Sequence, residues 1–312
     1  MEDDQVVLVK TPAWHKLGIV VNEPPTINEA IQMANLGWEV ETQPLFLGDG
    51  RQAYDGNAVV RKDTNKILGV VGPKFTPLQN TDAFSVYNPL VENKLVNIET
   101  CGSLFNGRKV WILGKVNGGT THTADIVQGD TVELYVLLSN THDGTAAVRF
   151  GFTPVRVVCN NTLKMSINNA ASKLIRVIHS TNVKSNVENL RDVMNMAAGE
   201  FIASAEVYRS LAKKQINAAD LAKYIRIVFD IADDKTKSKA LTEVTAAFEN
   251  KENTLPGMKG SGWAAYNAVT DYINHTQGRN EENRLNSLWF GINSQRNQLA
   301  LDTAVDMWLK AA

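Results

Sequence analysis

Apolar positions in the first half of the chain come in short alternating or continuous runs, separated by Gly, Pro, Asn and Asp, the pattern of strands joined by turns. A capping box at Thr26-Ile-Asn-Glu29 interrupts this pattern and predicts a helix over 27–36, with Gly37 closing it in the left-handed conformation. Residues 38–47 read as a strand in which Pro44 marks an edge or a bulge. Residues 59–62 and 67–71 form a hairpin across Asp63-Thr-Asn-Lys66, and Asn80 is placed to cap a second short helix over 81–91. A strand over 109–116 follows, then a hairpin of 132–138 with 145–152 that turns at Asp143-Gly144. Alternation puts Ala146, Val148, Phe150 and Phe152 on one face of its second strand and Arg149 on the other, so the two phenylalanines are assigned to the core.

Beyond about residue 184 the period changes to that of helices. Leu190, Met194, Ala197, Phe201, Tyr208 and Leu211 form one apolar stripe, and Asn217 can cap a helix over 218–232. Further helices fit 237–249, 262–275 and 298–310, with Asn253-Thr-Leu-Pro-Gly-Met-Lys-Gly-Ser-Gly262 as a break. The fold class is therefore α+β: an antiparallel-rich sheet with short helices in the first half and a helical second half. The corresponding division is an α+β domain over 1–183 and a helical domain over 184–312.

Charge changes this picture only through its distribution. Lys plus Arg number 32 and Asp plus Glu 33, so there is no overall field to attract a partner. Residues 1–50 nevertheless carry eight acidic groups against Lys10 and Lys16, whereas Gly144 to Val187 holds no Asp or Glu at all. That stretch carries Arg149, Arg156, Lys164, Lys173, Arg176 and Lys184. Buried strand would account for some of the missing carboxylates. A surface facing phosphates would account for both the missing acids and the six cations. Asn160, Asn161, Asn168 and Asn169 lie among them as additional donors.

Other chemistry finds less support. Gly48-Asp-Gly-Arg-Gln-Ala53 fits a relaxed dinucleotide fingerprint, but Tyr54-Asp-Gly-Asn57 cannot open the helix that the phosphates need. The glycine-rich loop at 257–262 precedes a helix and reads chiefly as a connection. No zinc-type spacing of Cys and His occurs, and Asn267, Asp271 and His275 share one helix face that is most simply a solvated one. Cys159 sits where a strand ends, with no base brought near it by the sequence. Two cysteines are too few for a disulfide framework and the start, Met1-Glu-Asp-Asp-Gln5, is acidic, so a reducing cytoplasm without export is expected. No apolar run approaches the ~20 residues of a membrane span.

Several segments in order resemble a known family: Pro12-Ala-Trp-His-Lys-Leu-Gly18, Leu78-Gln-Asn80, Gly107-Arg-Lys-Val-Trp-Ile-Leu113, Asn140-Thr-His-Asp-Gly144, Thr153-Pro-Val-Arg-Val-Val-Cys-Asn-Asn-Thr-Leu163 and Gly262-Trp-Ala-Ala-Tyr-Asn-Ala-Val-Thr-Asp-Tyr272. They are similar to the phage/plasmid-like proteins, a domain of unknown function. The resemblance implies a mobile-element context in a bacterial host, and a distant likeness to the Rad52-type single-strand annealing proteins of phages. Together with the acid-free stretch, it gives the expectation of a non-enzymatic, homo-oligomeric protein that binds single-stranded DNA. Phosphate contacts are expected from Arg149, Arg156, Lys164, Lys173, Arg176 and Lys184, with no cofactor, metal, catalytic residue or membrane partner. The alternative is an enzyme using Cys159, or a metal held by Asp271 and His275.

Overall fold

Thr26 and Glu29 form the capping box in full. The Glu29 amide donates to Thr26 Oγ1 (3.3 Å), and the Thr26 amide donates to the Glu29 carboxylate (2.8 Å). The helix they start, α1 (Ile27–Met33), buries Ile27, Ala30 and Ile31. It stops earlier than the sequence suggests. Asn35, at φ 50°, takes the left-handed position expected of Gly37, because an Asn side chain tolerates that conformation next best to glycine.

The computed structural model describes residues 6–9, 19–146, 148–158, 161–164, 187–235 and 237–310. By packing, the chain divides into two units. The first comprises Met1–Asn117, Val136–Phe152 and Ala171–Arg191; the second comprises Gly118–Tyr135, Thr153–Ala170 and Asp192–Ala312. No helix among the described residues is long and apolar enough to cross a membrane.

In the first unit, strands β1 (Val6–Val9), β2 (Ile19–Val21), β3 (Val40–Phe46), β4 (Gln52–Arg61), β5 (Lys66–Val71), β6 (Val96–Leu104) and β7 (Lys109–Val116) form two sheets. β3, β4 and β5 make an antiparallel meander. Pro44 fills both roles its sequence position predicts: β3 is an edge, and the register shifts between Pro44 and Leu45. The other sheet has the order β7-β6-β1-β2, with β1 parallel to β2 and antiparallel to β6. It is joined by the C-terminal part of β9 (Asp130–Thr141) and the N-terminal part of β10 (Arg149–Arg156). Val110, Trp111 and Ile112 are all fully buried, as fits a central strand covered on both faces. The single short helix expected over 81–91 is broken into α2 (Asn80–Phe84), a 3₁₀ turn and α3 (Asn88–Glu92), with Pro89 in the first turn of α3. Asn80 therefore lies inside α2 and caps nothing.

In the second unit, β8 (Thr123–Val127) pairs with the start of β9, and β11 (Asn161–Thr162) pairs with the end of β10. The rest is helical: α4 (Val187–Lys213), α5 (Ala218–Phe229), α6 (Lys239–Phe248), α7 (Gly262–Asp271), α8 (Glu281–Phe290) and α9 (Ile292–Val305). Asn217, Ser261 and Asn280 cap α5, α7 and α8 through their side chains. α7 is buried from Gly262 to Thr270, so it is the axis of this unit. Trp263 stacks on Tyr208 of α4 at 4.7 Å, and bare Gly262 lets Trp308 approach, since a Cβ there would lie 2.8 Å from the indole. The predicted α4 stripe is confirmed at Met194, Ala197, Phe201, Tyr208 and Leu211, all buried.

Gly69 on β5 faces the backbone of Asp143, with a hypothetical Cβ only 2.5 Å from Asp143 Cα, whereas Gly72 has open space around it. Gly69→Ala is expected to lower unfolding free energy by about 1–3 kcal/mol through forced backbone displacement. Gly72→Ala is expected to be close to neutral. Urea unfolding of the two variants checks the pair, and equal stability would mean that β5 does not pack against the 142–144 turn.

Candidate functional site

The six cations of the acid-free stretch have different fates. Arg149 is exposed at the start of β10. Beside it, Lys109 has its ammonium pushed below its usual pKa by burial, opposed by Asp143 at 4.0 Å and reinforced by Arg149. Lys164 is half-buried in the second unit. Its ammonium donates to Ser294 Oγ (3.0 Å), its amide donates to the Tyr266 hydroxyl (3.1 Å), and its carbonyl accepts from Tyr208. Lys173, Arg176, Lys184 and Cys159 lie outside the described residues.

Arg156 corrects the expectation. It has no exposed surface, and its guanidinium is used internally. Nε donates to Asp130 Oδ1 at 2.5 Å and Nη1 to Asn253 Oδ1 at 2.7 Å. Nη2 reaches the Glu252 carbonyl and Met258 Sδ. Asp130, equally buried, takes its other oxygen to the Trp263 indole at 2.7 Å. Arg156 thus anchors β9, β10 and the 250–258 loop, and a phosphate could reach it only by displacing Asp130. The sequence carries one usable signal for this pairing: an arginine on a strand with a carboxylate at the start of the neighbouring strand. The glycine-rich loop at 257–262 likewise has an internal job, since Met258 is fully buried against Arg156.

Three of the segments that carry the family resemblance meet in the first unit around one histidine. His142 is 1% exposed. Its Nε2 lies 2.8 Å from Asn80 Oδ1, while Asn80 Nδ2 donates to the Leu36 carbonyl. Because Asn80 presents its oxygen, the imidazole proton belongs on Nε2, and Nδ1 is left as a buried acceptor with no partner among the described residues. Asn140 donates to the Leu78 carbonyl, and the His142 amide donates to the Arg108 carbonyl. The Trp38 ring meets His142 edge-on at 5.2 Å and carries the Arg61 guanidinium 4.5 Å above its face. Arg61 is held in a bidentate pair by Asp63. These contacts fix the hairpin and α2 in place, which is reason enough for the residue types.

Asp271 and His275 fall on one helix face as expected, 3.7 Å apart, on α7 and the π-helical turn that follows it. Burial pushes the Asp271 carboxyl up to about 6, with Glu252 adding to the effect and Arg156 opposing it. Asn267 does not join them, as it is fully buried and donates to the Trp263 carbonyl. Among the described residues no group of three or more His, Cys, Asp or Glu side chains is placed to hold a metal ion.

Burial pushes the His142 imidazole down to about 4, opposed by Asp143. The native state therefore binds this proton less well than the unfolded chain, and the resulting stability is present above about pH 6.5 and lost as pH falls through 4. At pH 4.5 the loss attributable to this group should be about 2–3 kcal/mol, and His142→Gln should flatten that part of the pH profile. Urea titrations at pH 7 and 4.5 decide it; an unchanged slope in the variant would show that the imidazole is solvated. Arg156→Ala, by leaving Asp130 buried without its cation, should cost about 3–5 kcal/mol in the same assay at neutral pH.

No curated protein and no solved structure matches the chain. Residues 67–289, more than two thirds of its length, match the family described as Domain of unknown function (DUF932). That span contains the His142–Asn80 cluster, the Asp130–Arg156 pair and α7, and the protein is a member of this DUF932 family.

Proposed function

We propose that this protein is a non-enzymatic single-stranded DNA-binding protein that anneals or protects strands during recombination or replication of a phage or plasmid, in the cytoplasm of a bacterial host. The observation that carries this reading is the absence of any carboxylate from Gly144 to Val187 in a chain whose charges otherwise balance. With Arg156 internal and Lys164 bound to Ser294, the working phosphate contacts are Arg149, Lys173, Arg176 and Lys184. Exposure of Arg149 at the start of β10 is consistent with that role. A strand bound through its backbone needs only a basic track and no nucleophile or cofactor. Self-association multiplies a small number of contacts per subunit into useful affinity, so the protein acts as a homo-oligomer.

Fluorescence anisotropy of a labelled strand, titrated across a salt series, tests the reading. Affinity should fall steeply with salt, and Arg149→Glu with Lys173→Glu should reduce the log–log slope by about 0.7 for each phosphate that the protein no longer neutralises. Sedimentation with and without the strand reads the assembly. Absence of binding at low salt would remove the reading, and a salt slope unmoved in the folded double variant would remove the site.

A further inference from the structure

The second unit holds a cavity of about 430 Å³ where the end of α5, the loop after it, the start of α6 and the π-helical turn after α7 come together. That size is within the ~300–1,000 Å³ of small-molecule sites. Its charged lining is Lys235, Lys239 and Arg296 against Asp230. Ser238, the N-cap of the ten-residue α6, has extended backbone, but its hydroxyl accepts from no amide of the helix. Among the described residues the amides of Lys239 and Ala240, which both line the cavity, have no side-chain acceptor. A helix start left in this condition favours an anion through its amides and its dipole.

A second, independent feature points to an occupant. Tyr272 lines the cavity and is only 5% exposed, yet its hydroxyl bonds to no described residue. Its ring is packed away while its hydroxyl is reached by solvent, which leaves a phenol able to donate to a ligand that enters the cavity. Burial pushes this phenol above its ordinary pKa, with Glu243 adding and Arg296 opposing, so it remains a donor at neutral pH. Gln277 brings a buried amide oxygen that has no partner among the described residues, which a ligand hydroxyl would satisfy. Phe229 meets Tyr272 edge to face at 5.4 Å and supplies an apolar wall. Donors for an anion, an acceptor for a hydroxyl and an aromatic wall together describe one ligand class.

We propose that this cavity binds the phosphate monoester of a nucleotide. The phosphate is held by the start of α6, Lys239, Arg296 and the Tyr272 hydroxyl, and the sugar hydroxyls face Gln277. Two sources present this chemistry, a free nucleoside monophosphate and the 5′-phosphate end of a strand. The residues are separate from the acid-free stretch, so the inference does not depend on the strand-binding reading.

Calorimetric titration of the full chain with adenosine 5′-monophosphate, adenosine, and a short thymidine strand with either a 5′-phosphate or a 5′-hydroxyl tests it. The monophosphate should bind and adenosine should not. Tyr272→Phe, Lys239→Gln and Arg296→Gln should each weaken binding by about tenfold while leaving the thermal unfolding midpoint in place. Binding of the phosphorylated strand but not of its 5′-hydroxyl counterpart would assign the strand end, and binding of the monophosphate alone would assign the free nucleotide. The proposal is overturned if neither phosphorylated probe binds, if adenosine binds as well as its monophosphate, or if binding is unchanged in all three variants. Salt-dependent binding of the 5′-hydroxyl strand reports on the basic stretch alone and should be indifferent to Arg296→Gln.

Discussion

Asp130 and Arg156 form an ion pair with no exposed surface on either side chain, and the second unit is arranged so that neither is left without partners. Removing two charged groups from water costs several kcal/mol for each, and their attraction offsets this only if the remaining donors and acceptors are also used. Here they are used. The carboxylate takes the Trp263 indole on its second oxygen, and the guanidinium takes Asn253, the Glu252 carbonyl and Met258. The pair thereby ties two strands, an interhelical loop and the first turn of the central helix α7. Buried donors recur along α7 and the π-helical turn after it, where Asn267, Thr270 and Asn274 are fully buried and each donates to a carbonyl three or four residues earlier.

The first unit meets the same demand on a smaller scale. Asn80 is the pivot, with its amide nitrogen committed to Leu36 and its oxygen to His142. A helix cap at this position would have served only the local chain. A buried amide instead links α2 to the end of α1 and to the hairpin turn, contacts separated by 44 and 62 residues in sequence. The cost is a histidine that must stay neutral, and the depressed pKa of His142 is the visible sign of it.

Two kinds of anion chemistry are therefore proposed for separate parts of the chain. The acid-free stretch is a one-dimensional feature of sequence, suited to a repeating polyanion whose charges are evenly spaced. The cavity beside α6 is a three-dimensional feature, suited to one phosphate group with directed donors. They make different physical demands: the first needs only cations and no nearby acids, while the second needs fixed geometry and tolerates Asp230 at its edge.

What the sequence determined by itself was local. The capping box at Thr26, the Pro44 bulge, the β7 strand, the turn at Gly144, the cap at Asn217 and the α4 stripe all follow from interactions within a few residues or from the period of apolar positions, and the structure reproduces them. The helix at α8 went unpredicted because its pattern is mixed, with only Leu285 and Leu288 buried. The direction in which a polar side chain would make its hydrogen bonds was not legible. Asn80, Arg156 and Lys164 looked like a cap and two phosphate contacts, because capping and charge are the nearest uses a linear reading offers. Their actual partners lie 26 to 130 residues away, and Tyr272, Ser238 and Arg296 come together only through helix packing. Tertiary structure decided these roles because burial removes water as a partner, and a buried polar group must then take whatever donor or acceptor the packing brings to it.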